Sequence, residues 1–318
     1  MPSKKSKNTR APKRKSARRG KRKQKQSTTR RVMMFLLKAF IVGFILFALF
    51  FMAVYFGFTG HVPSTRQLKE IANPQASEVF SEDGKLLGRY YVENRSNVQF
   101  EEVSPNVIDA LIATEDARFY EHRGIDEIAL MRVFVKSIIL QDRSAGGGST
   151  ISQQIAKNLF PRNDLGIISM PVNKLREAII AYRLERIYSK EEILTLYLNT
   201  VSFSENIFGI ELAAERFFSK KPGELTVEEA AVLIGMLQAN NRYNPRMNPE
   251  NSKQRRDVVI SQMVKNEYLS ESAGDSIMDL PLEINYRRIS YNEGPAAYFV
   301  EMLKPELLEW CANHTNEE

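Results

Sequence analysis

The chain has 318 residues, 45 Lys+Arg and 38 Asp+Glu, and a formal net charge of +7. That length supports one large domain or two lobes around a sizeable core. Cys311 is the only cysteine, which excludes an internal disulfide, and no Cys/His spacing of a metal site occurs.

The positive charge is concentrated at the start. Residues 1–31 hold fifteen Lys/Arg and no Asp or Glu. Residues 32–58 follow with Lys38 as their only charge, and Ala39 to Phe58 are twenty uncharged, mostly apolar residues. That is about the length a helix needs to cross a bilayer. A cleaved signal peptide is the competing reading, but its apolar core is shorter and ends in small residues. The basic side faces the cytoplasm by the positive-inside rule, which puts the bulk of the chain outside. Beyond residue 58 there are 29 Lys/Arg against 38 Asp/Glu, so a nucleic-acid partner is not expected.

Residues 59–76 read as a juxtamembrane connector. Residues 77–100 hold Asp83-Gly84 between β-prone stretches, a hairpin signal. The rest reads as helix, over roughly 105–121, 127–141, 149–160, 172–188, 190–199, 206–218 and 227–238, with another near 250–267. Ser104-Pro105 is a helix start, and Ser189 with Glu192 and Thr226 with Glu229 match capping boxes.

Three stretches carry polar groups where chemistry needs them. In the helix from Pro105 the apolar stripe is Val107, Ile108, Leu111, Ile112 and Phe119, and Glu115 falls on that stripe. A carboxylate there is either paired, with Arg118 or Arg123, or held for general-base work. His122 reads equally well as a satisfied core histidine. Residues 146–158, GGGSTISQQIAKN, put three glycines before a helix whose Thr150, Gln153, Gln154 and Lys157 share one face. A helix N-terminus attracts anions, although a plain solvated face has the same pattern. In 173–188, Glu177 lies on the face of Ile180, Ala181 and Leu184. A salt bridge to Lys174 is the bland account of it.

EDARFYEHRG, GGSTISQQIAKN, KLREAIIAYRLE and SKEEILTLYLN occur in this order. Together with FGIELAAERFF, LTVEEAAVLIGMLQ and NPRMNPENSKQRRDVVISQM, they resemble the peptidoglycan glycosyltransferases of family 51 over roughly 77–268. That family comprises monofunctional membrane transglycosylases and the N-terminal domain of class A penicillin-binding proteins. The resemblance implies a mainly α, two-lobed, lysozyme-like domain with a small β-hairpin, behind one transmembrane helix. It implies five segments: a basic cytoplasmic tail 1–31, an anchor 32–58, a connector and hairpin 59–104, the glycosyltransferase domain 105–268, and a C-terminal extension 269–318. The extension resembles the linker to a transpeptidase domain, whose Ser-x-x-Lys and Lys-Thr-Gly motifs do not occur here.

The resemblance also implies roles. Glu115 matches the general base and Glu177 the second essential carboxylate, near the leaving group, with Mg²⁺ or Mn²⁺ near Glu177. Asp116, Phe119, His122, Ser149, Thr150, Gln153, Gln154, Lys157, Asn158 and Lys174 match substrate-binding positions. The implied partners are lipid II, the growing glycan strand on undecaprenyl pyrophosphate, membrane lipid and other cell-wall synthesis proteins. Leu165, Ile167, Ile168 and Met170 fall in a region that forms an apolar jaw at the membrane, or else a simple buried loop. The third motif usually reads Arg-Lys-x-x-Glu, whereas Asn173 precedes Lys174 here. Ser204 and Asn206 stand where glycine is common, and Asn240 where proline is. A non-catalytic scaffold and a lysozyme-like glycan-cleaving enzyme are the competing functions.

Overall fold

The computed structural model describes residues 28–69, 77–90, 98–139, 147–287 and 297–314. Most of the basic tail lies outside them, as do parts of the connector and hairpin, the end of the helix expected over 127–141, parts of the C-terminal extension, and Gly146. The chain divides into two units, residues 1–51 and 52–318.

Helix α1 (Thr28–Tyr55) contains the one helix segment among the described residues that is long and apolar enough to span a membrane, at mean hydropathy 2.6. Its 28 residues extend about 42 Å, more than the roughly 30 Å of a hydrocarbon core.

In the second unit, α2 (Thr65–Lys69) precedes a hairpin of β1 (Ser77–Phe80) and β2 (Leu86–Tyr90). The strands are antiparallel, with Ser77 opposite Tyr90 and a bulge between Val79 and Phe80. The turn closes as the Asp83-Gly84 signal predicts, with Gly84 at φ 78°.

Helices then make up nearly everything. They are α3 (Pro105–Glu115), α4 (Glu127–Val133, continued by a π-helical turn Phe134–Ile139), α5 (Ile151–Leu159) and α6 (Ser169–Leu184). After them come α7 (Lys190–Thr200), α8 (Ile210–Phe218), α9 (Val227–Met236), α10 (Pro249–Lys265), α11 (Glu271–Asp279) and α12 (Ala297–His314). One group packs α3, α9, α10 and α11 together, and another packs α5 against α6 and α7. The two groups share one core, in which Leu111, Phe119, Ile151, Ile155, Leu184 and Tyr197 are fully buried. Each such apolar side chain contributes about 1.5–3 kcal/mol by leaving water.

Several boundaries differ from the expected ones for visible reasons. The first body helix stops at Glu115 instead of 121, because Asp116 adopts φ −155° and ψ 69°. Phe119 still reaches the core, from the turn that follows. The helix expected from 206 begins at Ile210, because Glu205 and Asn206 sit at φ 63° and 59°. The Ser189–Glu192 box forms in both directions, at 2.6 and 3.2 Å. Of the Thr226–Glu229 box only the Glu229 half forms, at 3.0 Å, and Thr226 Oγ1 is buried without a partner.

Two stretches read as peripheral are built into the body. In the connector, the carbonyls of Thr59, His61, Pro63 and Leu68 accept from Asn163, Arg176, Arg183 and Tyr188 at 2.7–2.9 Å. In the extension, α11 packs on α10, and the backbone amides of Asn285 and Arg287 donate to Phe217 and Arg216 of α8. Arg256 on α10 is 1% exposed and donates to the carbonyls of Met278, Leu280 and Pro281. The fold therefore runs on to residue 287, past the expected boundary at 268.

Candidate active site

The site is built around the start of α5. Asp116, which ends α3, turns inward and accepts from His122 Nε2 at 2.9 Å and from the Ile151 backbone amide at 3.0 Å. Thr150 Oγ1 accepts from the Gln153 amide at 3.2 Å and donates to the Gly124 carbonyl at 2.7 Å. Gln153 Oε1 in turn accepts from the Thr150 amide at 3.2 Å. The positive end of α5, read from sequence as an anion seat, thus already faces the carboxylate of Asp116. Thr150 and Gln153 are buried, and their side-chain oxygens serve the cap of α5.

Beneath lies a buried polar floor. Lys190 Nζ bonds Glu185 Oε2 at 2.6 Å and the His122 carbonyl at 2.8 Å, and stands 4.2 Å from the centre of the Phe119 ring. Ser152 donates to Glu185 Oε1 at 2.6 Å. His122 is 5% exposed, and its Nδ1 lies 3.9 Å from Glu185 without a hydrogen bond. Such a floor fixes Asp116, and through it the end of α3 where Glu115 sits.

Glu115 is half-buried. Its Oε2 accepts from Gln154 Nε2 at 2.8 Å, and Gln154 Oε1 accepts from the Tyr197 hydroxyl at 3.0 Å. Burial, and then the charge of Glu115, push the Tyr197 hydroxyl well above its ordinary value of 10.0. Tyr197 therefore stays a donor, and the amide of Gln154 must present its NH₂ to the carboxylate. Neither Arg118 nor Arg123 takes Glu115: Arg118 pairs with Asp126 at 3.1 Å, and Arg123 is exposed. Oε1 receives no hydrogen bond from a described residue. Lys157 and Asn158 follow on α5, exposed to solvent.

Glu177, on α6, is 4% exposed. Arg162 approaches its Oε1 with Nε at 2.8 Å and a terminal nitrogen at 2.7 Å. Lys174 Nζ lies 2.9 Å from Oε2 as an ion pair, and directs an aligned hydrogen bond to Ser149 Oγ at 2.9 Å. The salt bridge read from sequence therefore exists, with Arg162 added to it. These contacts do not suit a divalent metal, since a cation already faces each carboxylate oxygen. Among the described residues no three His, Cys, Asp or Glu side chains cluster to hold one.

Asn173 faces elsewhere. It bonds both the amide and the carbonyl of Asn163, at 3.1 and 2.8 Å, and accepts from Arg176 at 3.2 Å. Arg176 reaches on to the His61 carbonyl at 2.8 Å, so it serves the connector. Asn240 donates to the Ser202 carbonyl at 2.7 Å and Ser204 to Asn241 at 2.8 Å, around a polar hollow of about 440 Å³. The loop before α6 and the helix's first turn are exposed, with Ile167 fully so and Ile168 and Met170 more than half. That removes the buried-loop reading.

Sequence reasoning missed Arg162 and Tyr197. Arg162 stands in a loop without periodicity. Tyr197 looks like an ordinary core aromatic of α7, and its one signal is a hydroxyl at a buried position.

A family model described as Transglycosylase matches residues 83–264. Penicillin-binding protein 1A of Aquifex aeolicus is 34% identical over 245 residues, covering 77% of this chain and 32% of that protein. Penicillin-binding protein 1A/1B of Bacillus subtilis is 36% identical over 258 residues, covering 81% and 27%. The crystal structure of penicillin-binding protein 1A from Haemophilus influenzae aligns at TM-score 0.41 and 24% identity, over 74% of this chain and 24% of that one. The chain spans about a third or less of the length of these relatives. With the family match running from the hairpin turn to the end of α10, through both buried-carboxylate sites, the chain belongs to the transglycosylase family.

Proposed function

We propose that the protein is a peptidoglycan glycosyltransferase that polymerises lipid II, with Glu115 as general base. The observation that carries this is the state of Glu115: half-buried, one oxygen held by the Gln154–Tyr197 chain, the other open. A base must be fixed in direction and partly stripped of water, and must keep a lone pair for the proton it takes. In the reaction, the C4 hydroxyl oxygen of lipid II bonds to C1 of the donor MurNAc as the hydroxyl proton passes to Glu115. The C1–oxygen bond to undecaprenyl pyrophosphate breaks, and its electron pair leaves with the pyrophosphate. The displacement inverts C1 and needs no covalent enzyme intermediate. Lys157, exposed on α5, and the cations around Glu177 offer positive charge to the leaving group.

The anchor reading rests on α1, and an outward-facing body on the fifteen cations of residues 1–31. The exposed Leu165, Ile167, Ile168 and Met170 suit contact with acyl chains. The deciding experiment is glycan-strand formation from purified lipid II in detergent, comparing wild type with Glu115→Gln. Polymer from wild type alone is the expected result, with a rate loss of about 10²-fold or more in the variant. Polymer from both sinks the assignment of Glu115, and polymer from neither makes the protein a scaffold.

A further inference from the structure

We propose that the polar hollow between the loop after α7 and the turn after α9 is a saccharide site, which holds a neutral stretch of glycan strand. Naming the saccharide as a glycan strand rests on the glycosyltransferase reading. The site itself rests on its own side chains.

The hollow measures about 440 Å³, within the roughly 300–1,000 Å³ of a small-ligand site. Ser202, Ser204, Asn206, Asn240 and Asn241 line it, and Glu205 is its one charged lining residue. That charge is already taken: Glu205 accepts from Arg246 Nε at 3.0 Å, from Asn244 at 3.1 Å and from the Tyr286 hydroxyl at 2.8 Å. An ionic ligand therefore finds no open countercharge on this lining, and neutral groups do the recognising. Asn240 gives its Nδ2 to the Ser202 carbonyl and keeps Oδ1 open. Asn241 accepts from Ser204 through Oδ1 and keeps Nδ2 open. The exposed Asn206 side chain and the Ser202 hydroxyl bond no described residue. Open donors thus stand beside open acceptors, which suits sugar hydroxyls, because each hydroxyl both donates and accepts.

The backbone carries a second argument. Glu205 and Asn206 sit at φ 63° and 59°, a left-handed form that disfavours residues other than glycine. Asn206 and Ser204 stand where glycine is common in the resembled family, and Asn240 where proline is. Three positions that commonly carry no polar side chain carry one here, and all three converge on this hollow. Keeping a side chain where glycine would relieve strain is the mark of a side chain with a use. The bonds to Glu205 also hold the loop in this form beforehand, which lowers the ordering cost of binding. The side chains that hold Glu115 and Glu177 do not line the hollow. Ser202 follows Tyr197 by five residues, so at most about 18 Å of chain separates it from the residue that steadies Gln154. A polymer, unlike a single sugar, spans such a distance.

The test titrates the full chain in detergent with the β-1,4-linked tetramer of N-acetylglucosamine, a neutral saccharide. Asn206→Gly and Asn240→Ala should each raise its Kd about three- to tenfold, as expected for a lost hydrogen bond. Asn206→Gly should at the same time raise the urea midpoint, because glycine relieves the left-handed strain. Weaker binding in a more stable protein separates a ligand contact from a structural one. The proposal is overturned if wild type does not bind the tetramer, or if both variants bind it as tightly as wild type. Equal competition by a blocked, uncharged alanine tetrapeptide also overturns it, by making the hollow a peptide site. Binding is read without turnover. A wild type that binds the tetramer through Asn206 but makes no polymer from lipid II sinks the glycosyltransferase reading and spares this site. One that polymerises lipid II but does not bind the tetramer does the reverse.

Discussion

At the scale of single residues, backbone geometry decides more than charge. Gly124 sits at φ 84°, and a Cβ there would lie 2.8 Å from the carbonyl carbon and oxygen of Ala181 on α6. Its own carbonyl receives the Thr150 hydroxyl. Gly124 thus lets the loop after His122 lie directly on α6. Gly124→Ala combines left-handed strain with a backbone clash, and should cost about 2–5 kcal/mol, read as a fall in the urea midpoint. Glu115 and Glu177 were both legible as carboxylates on apolar faces, because helical period is a local property. What each carboxylate touches was not, since Gln154, Tyr197 and Arg162 come from other elements. Tertiary pairing leaves no periodic trace in a chain.

At the scale of elements, caps set where helices begin. Asp126 starts α4: its carboxylate accepts from the Ala129 amide at 2.9 Å and pairs with Arg118. Burial opposes its ionisation, but the Ala129 amide and the Arg118 guanidinium together hold it below its ordinary 3.8. A lowered folded value means the contribution is fully present above the unfolded value, and is lost as pH falls through the folded one. Asp126→Asn keeps a capping oxygen but loses the charge paired with Arg118, and should therefore cost about 1 kcal/mol at pH 7. Urea midpoints of wild type and variant should converge as pH drops below about 3.8. Sequence placed the starts near Pro105, Lys190 and Val227 well, because caps are local. It overran α3 because Phe119 continues the apolar stripe from a turn, and it began α8 early because Glu205 and Asn206 hide a left-handed backbone behind ordinary residue types.

At the scale of the molecule, the body extends beyond the family match. Arg256 is capped by three carbonyls from residues 278–281, Tyr286 donates to Glu205 at 2.8 Å, and Asn285 and Arg287 bond α8. A chain stopped after Tyr268 should lose at least about 3 kcal/mol, from the charged hydrogen bonds of Arg256 alone. One stopped after Arg287 keeps these contacts, loses the packing of α12 on β2, and should show a much smaller fall in the urea midpoint. The helical class and the hairpin could be read from the sequence. The docking of 281–287 was not read: Leu282, Ile284 and Tyr286 alternate and pack against the core, but so short a period-two run does not show which surface receives it.

The loop around Ile167 runs into the first turn of α6 at Met170. It holds apolar side chains in water next to the segment that carries Arg162, where each hydrophobic group would gain about 1.5–3 kcal/mol on transfer to oil. The body from Met52 onward is for that reason amphiphilic in its own right. Cut free of α1, it would behave as a surfactant, crowding at oil–water boundaries and on the walls of its vessel.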